Sequence, residues 1–273
     1  MHSSERYRAG IDIGGTFTDL VLIEDETGER AVGKTLTTPE DPSEAVQEGL
    51  VELLEREGLE ASGLETIIHV TTLVTNALIE RKGAATALLT TEGFRDAVAI
   101  GTEHRYDIYD IFIEKPEPLV PRSLRYGIRE RCLDDGCVMV ELDEEQVLTI
   151  VGELRGRGVQ AVAVSFLHSF RNPAHERRVA EMIAEEAPEM TVSLSSEVAP
   201  EIREYERTST TVANVYVRPP ACVWLALMGR RLLENKIEER TVMYDVIIVR
   251  GILAHLAIDG STRHPTDRLA ARE

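Results

Sequence analysis

Lysine is scarce in this chain. Only Lys34, Lys82, Lys115 and Lys236 are lysines among 30 basic residues, which face 48 acids for a net charge of −18. That balance repels a nucleic-acid backbone and an anionic membrane surface, so neither is expected as a partner. An acid-rich, lysine-poor surface also suits a salt-adapted or GC-rich source. Cysteine is nearly as rare. Cys132, Cys137 and Cys222 are an odd number, and Cys-x4-Cys without a second pair or a nearby histidine lacks the spacing of a zinc site, so free thiols are expected. No apolar run reaches the length of a membrane span, and the start, Met-His-Ser-Ser-Glu-Arg-Tyr-Arg, has no signal-peptide core. A cytoplasmic protein is expected. At 273 residues the chain can bury a full core and hold one large or two modest domains.

What is present is organised around Ala9-Gly10-Ile11-Asp12-Ile13-Gly14-Gly15-Thr16-Phe17-Thr18-Asp19-Leu20-Val21-Leu22. Two apolar strands, 9–13 and 17–23, are predicted to fold back on each other through a Gly-Gly turn. Gly14 and Gly15 leave no Cβ in the way and tolerate φ > 0, so turn N–H groups can face phosphate oxygens, with the Thr16 and Thr18 hydroxyls as further donors. Asp12, at a strand end, is placed to hold a Mg²⁺ or one of its waters. No Gly-Lys-Ser/Thr follows, so the loop is not a Walker A. A strand comes next where a Rossmann fingerprint would have a helix. The competing reading is an ordinary tight hairpin.

Asp-x-Gly-Gly-Thr on the first hairpin of an α/β chain resembles the first phosphate motif of the actin, sugar-kinase and Hsp70 superfamily. The longer string Ile-Asp-Ile-Gly-Gly-Thr-Phe-Thr-Asp resembles the start of the hydantoinase A and 5-oxoprolinase family, which includes the acetone carboxylase β subunit. The rest of the chain fits an α/β class. A third strand is read at 31–37, then a helix capped at Asp41 with Pro42 at its first position and Gly58 as its stop. A strand at 66–70, a helix from about 72 to 81 closed by Gly83 and a strand at 85–90 follow. This order matches a ribonuclease H-like half-domain with a mixed, mostly parallel sheet and flanking helices.

The run from His69 to Gly83 places its polar residues where a strand ends and a helix begins, the usual ligand edge of an open α/β sheet. Thr71 or Thr72 either caps that helix or faces substrate. The family has a similar run here, and similar Arg-Tyr-Asp and Pro-Leu-Val-Pro-Arg strings at 105–107 and 118–122. The resemblance therefore makes His69, Thr71, Thr72, Asn76 and Arg105 substrate-side candidates. A hairpin over 123–132 and 137–142 is predicted, turning at Asp134-Asp135-Gly136. Asp143 and Gln146 open a helix towards Gly156, and the apolar run 159–166 reads as a strand buried on both faces. Asn172 and Pro173 start another helix. His168 and His175 form no metal pair by spacing, because a loop and Pro173 separate them and no third ligand stands at a fixed interval.

After a strand at 191–195, Glu197 to Thr211 reads as a turn into a charged helix. There Arg203 and Arg207 at i,i+4 would repel each other, a cost that hints at function. This block is also among the strings most similar to the family. The resemblance runs from about Arg8 to Pro219. It implies an actin-like domain over 8–200, the start of the following hydantoinase A domain over 201–219, and a divergent or frameshifted tail over 220–273, expected to pack loosely. Eight bases and seven acids fall in that tail.

The implied function is the N-terminal part of an ATP-dependent amidohydrolase that opens a cyclic amide, a hydantoin or 5-oxoproline, through phosphorylation of the amide oxygen. Asp12 is the implied catalytic residue and Mg²⁺ ligand, Gly14, Gly15, Thr16 and Thr18 the ATP phosphate contacts. A hydantoinase B-type subunit is the implied partner, in a hetero- or homo-oligomer. Two readings compete with this. A sugar or acetate-type kinase shares Asp12 to Thr16, and a truncated, non-catalytic half would only dock on a partner.

Overall fold

The computed structural model describes residues 6–38, 41–71, 73–102, 116–234, 241–249 and 252–259; the side chains of 69–71, 73, 225, 229, 232–234 and the last two strands lie outside that description. The chain divides into two compact units, one of residues 1–82 with 220–273 and one of 83–219. The sequence reading has a single domain over 8–200. The difference arises at the strand after Gly83, which finds its partners in a separate sheet.

In the first unit, β1 (Tyr7–Ile13), β2 (Phe17–Glu24) and β3 (Arg30–Leu36) form an antiparallel meander. Helix α1 (Pro42–Glu57) begins where Asp41 accepts from the Ser43 amide at 3.1 Å and stops at Gly58, whose φ of 69° closes the last turn. Strand β4 (Leu64–Thr71) then pairs parallel with β1, and α2 (Leu73–Ile79) follows it. Alternation in β1 sends Tyr7, Ala9, Ile11 and Ile13 into a core with Val46, Leu50, Leu53 and Leu54 of α1, which leaves Arg8, Gly10 and Asp12 on the opposite face.

The second unit holds β5 (Thr86–Thr91), the short α3 (Ala97–Ile100), β6 (Arg125–Ile128), β7 (Arg131–Cys132), β8 (Val138–Val140), α4 (Glu144–Gly156), β9 (Ala161–Ser165), α5 (Ala174–Glu186), β10 (Thr191–Leu194) and α6 (Ser195–Val198). Its sheet runs β10-β9-β5-β6, all parallel. Every residue of β5 and β9 is buried, as expected of central strands covered on both faces. The predicted hairpin over 123–142 is shorter than expected. Its first strand divides at Arg129-Glu130, so that β6 joins the sheet and only β7 pairs with β8, through a turn with Gly136 at φ 88°.

Helix α7 (Glu204–Glu234) is 31 residues long and runs on through Pro219 and Pro220. Pro220 has no N–H to offer the carbonyl of Tyr216 four residues back, and that carbonyl accepts from the Ala84 amide at 2.9 Å. Tyr216 also explains Gly83, since a Cβ there would lie 2.1 Å from its ring. The expected Arg203–Arg207 repulsion does not occur, because Arg203 stands before the helix at φ 80° while Arg207 is buried.

Beyond Pro219 the structure departs from the loosely packed tail of the sequence reading. Trp224 and Met228 are buried in the core with α1 and β1, and Arg231 reaches Asp41 at 2.5 Å and Glu44 at 3.1 Å. Burial pushes the Asp41 carboxyl up, but the hydrogen bonds from Ser43 and Arg231 together hold it below the usual range. Strands β11 (Thr241–Val249) and β12 (Ile252–Asp259) complete a six-stranded mixed sheet in the order β12-β11-β4-β1-β2-β3. Met228→Ala should therefore cost about 2–3 kcal/mol, as for other buried methionines. Urea unfolding that moves by less than about 0.5 kcal/mol would show that α7 adds nothing to this core past Pro219.

Candidate phosphate-binding site

The β1–β2 register places Asp12 opposite Asp19 and Ile13 opposite Thr18, with Gly14, Gly15 and Thr16 forming the turn. The Gly14 amide closes the turn on the Phe17 carbonyl at 3.0 Å. No described residue accepts a hydrogen bond from the amides of Gly15 or Thr16, and both residues are exposed. Two adjacent amides open to solvent beside an exposed carboxylate suit a phosphate and a hydrated Mg²⁺. Asp12 is that carboxylate, and on the same face Asp19 is already paired with Lys34 at 2.7 Å, which leaves Asp12 as the acid for a cation.

Two expectations change. Neither Gly14 nor Gly15 is among the glycines with positive φ. Glycine at 14 answers to crowding, because a Cβ would meet the Phe17 carbonyl at 3.0 Å. The Thr18 side chain does not face the turn's open side. Its alternation with Phe17 and Asp19 turns it inwards, fully buried, with its hydroxyl 3.0 Å from that of Thr37. Thr37, which the sequence reading has only as the end of the third strand, braces the turn three times over: its hydroxyl also donates to the Gly14 carbonyl at 2.9 Å, and its amide donates to the Thr16 carbonyl at 2.9 Å. The signal available was its position just after the strand that pairs with β2.

Of the substrate-side candidates, Asn76 comes to the hairpin. A Cβ on Gly15 would stand 3.9 Å from its side-chain nitrogen. His69 and Thr71 lie on β4 in register with Ile11 and Ile13, so the carboxyl ends of two parallel strands meet beside the turn. Thr72 and Arg105 lie outside the described residues. Along the same face as Asp12, a depression of about 490 Å³ is lined by Arg8, Gly10, Asp19, Val21 and Ile68 among others.

Residues 8–187 match the hydantoinase/oxoprolinase N-terminal region. The chain belongs to this family. It is 40% identical over 223 residues to the caprolactamase subunit alpha of Pseudomonas jessenii, covering 80% of this chain and 32% of that protein. It is 41% identical over 232 residues to the acetophenone carboxylase gamma subunit of Aromatoleum aromaticum, covering 76% of this chain and 30% of the relative. The crystal structure of the ATP-dependent caprolactamase from Pseudomonas jessenii matches at a TM-score of 0.80 and 37% identity, over 87% of this chain and 35% of the other. The chain thus spans about a third of the length of these relatives. Its fold is the α/β, actin-like ATPase type. Among the described residues, no helix is long and apolar enough to cross a membrane.

Proposed function

We propose that this chain carries the first phosphate-binding hairpin of an ATP-dependent amidohydrolase of the hydantoinase and 5-oxoprolinase type, which opens a cyclic amide. The observation that carries this reading is the pair of open amides at Gly15 and Thr16 beside the exposed Asp12. In it, Gly15 and Thr16 hold phosphate oxygens through backbone N–H groups, and Gly14, whose own amide closes the turn on Phe17, shapes the loop that presents them. Asp12 holds Mg²⁺ through its carboxylate, and the metal neutralises charge on the phosphates. Thr18 contributes by fixing the hairpin through Thr37. Asn76 and the β4 end around His69, Thr71 and Thr72 border the substrate side, with Arg105 as a further candidate. Water activation falls to groups outside this chain, and a hydantoinase B-type subunit is the proposed partner. Identity to an acetophenone carboxylase subunit supports a second reading, in which the same hairpin serves carboxylation of a ketone.

A single hairpin offers three or so donors and nothing for a base, so phosphate should dominate recognition. By calorimetry with Mg²⁺, ATP and inorganic tripolyphosphate should bind within about threefold of each other and only weakly, and adenosine should not bind. Absence of binding by both polyphosphates, or ATP binding more than about tenfold tighter than tripolyphosphate, would overturn this assignment of the hairpin as the sole contact.

A further inference from the structure

In the second unit, Glu130, Cys132 and His175 converge. All three are buried, and a carboxylate oxygen, the thiol sulfur and a ring nitrogen lie within 4.8 Å of one another. Glu130 stands just before β7 and Cys132 at its end, and both side chains are buried. His175 is the second residue of α5 and meets them there. Its Nδ1 is 2.9 Å from Glu130 Oε2 and 3.9 Å from Cys132 Sγ. A tetrahedral ion with bonds of about 2.0–2.3 Å spaces its ligands by about 3.3–3.8 Å, so these separations bracket the required span.

We propose that Glu130, Cys132 and His175 bind one divalent transition metal ion of the zinc and cobalt class. Thiolate, imidazole and carboxylate together suit a borderline-soft ion rather than Mg²⁺ or Ca²⁺. The outer contacts fit ligation. The hydroxyl of Thr91 accepts from the Leu167 amide at 2.9 Å, so its single proton goes to Glu130 Oε1 and leaves Oε2 for the metal. On the other side of the ring, His175 Nε2 faces the exposed Glu141 Oε2 at 3.8 Å, longer than a hydrogen bond, so that carboxylate acts on the imidazole through its charge alone. Without a cation the thiol stays protonated, since burial and then Glu130, Glu141 and Glu176 push it up to about 11. On binding, the sulfur–metal bond forms as the thiol proton leaves for solvent, and the ring proton that Nδ1 gives to Glu130 is exchanged for one on Nε2, which frees the Nδ1 lone pair for the metal.

Cobalt reports thiolate ligation by a charge-transfer band, which separates this site from a plain His175–Glu130 hydrogen bond. Titration of the full chain with Co²⁺ should give that band at one equivalent, and Zn²⁺ should remove it by displacement. Cys132→Ser should abolish the band, while Cys137→Ser and Cys222→Ser, both at exposed positions, should keep it. Glu141 is exposed, so Glu141→Gln should fold normally and bind Co²⁺ about two- to fivefold more weakly. No band in the unmodified chain, or a band that survives Cys132→Ser, would overturn the proposal. Should Cys132→Ser not fold, a band that survives Cys132→Ala would do so.

Discussion

Asp12→Ala is expected to weaken Mg·ATP binding by about thirty- to a hundredfold, equivalent to about 2–3 kcal/mol for a lost charged contact. The effect follows from the isolation of Asp12. Asp19, the nearest carboxylate on that face, is held by Lys34 at 2.7 Å, and Lys34 also sits 4.8 Å from the centre of the Phe17 ring. Asp19 therefore cannot take over a cation without giving up its own partner. Because Asp12 is exposed at the end of β1, its loss leaves no cavity and no buried donor, so the far-UV spectrum and urea midpoint should not change. With the metal removed by chelator, wild type and variant should bind ATP alike. Equal affinities in the presence of Mg²⁺ would show that Asp12 does not serve the metal, whatever the hairpin does with phosphate.

The hairpin was legible because its pattern is local. Alternating apolar residues, two glycines and a flanking acid define strand, turn and strand without reference to the rest of the chain. The α1 boundaries were legible for the same reason, as Asp41, Pro42 and Gly58 each act within one turn. What sequence could not show is which side chains the tertiary structure would claim. Thr18 looks like a phosphate donor beside Thr16, yet its hydroxyl is taken by Thr37, 19 residues away. Gly83 looks like a helix stop, yet the ring of Tyr216 requires it. Strand β5 looks like the next strand of the first sheet, and only its pairing with β6 and β9 reveals a second one. Trp224 and Met228 carried an amphipathic signal too short to read, in a segment whose family pattern had ended.

Arg207 is the sharpest instance, and its removal should have the largest effect on stability. It reads as a surface charge in a charged helix, but it is 2% exposed and spends its guanidinium on three diverging acceptors: Ser195 Oγ at 3.1 Å, the Glu201 carbonyl at 2.9 Å and the Phe166 carbonyl at 2.8 Å. Ser195 in turn donates to Glu176 Oε1 at 2.6 Å, and the same fully buried carboxylate accepts from the amides of Phe166 and Ser196, each at 2.9 Å. Burial pulls the Arg207 pKa down, and the negative charge of Glu176 opposes that pull, so the two charges stabilise each other across Ser195. Arg207→Ala leaves the Glu176 charge buried without its counterion, removes the Glu201 carbonyl's side-chain donor and leaves the Phe166 carbonyl only the 3.4 Å bond from the Ser169 amide, and should cost about 3–5 kcal/mol in urea unfolding. Arg207→Lys should recover less than half of that, because an ammonium on a flexible stem cannot reach three acceptors fixed in the plane of a fork. A loss below about 1 kcal/mol for the alanine variant would mean that the network relaxes or admits water, and that the β9 end, α6 and the start of α7 are held together by packing alone.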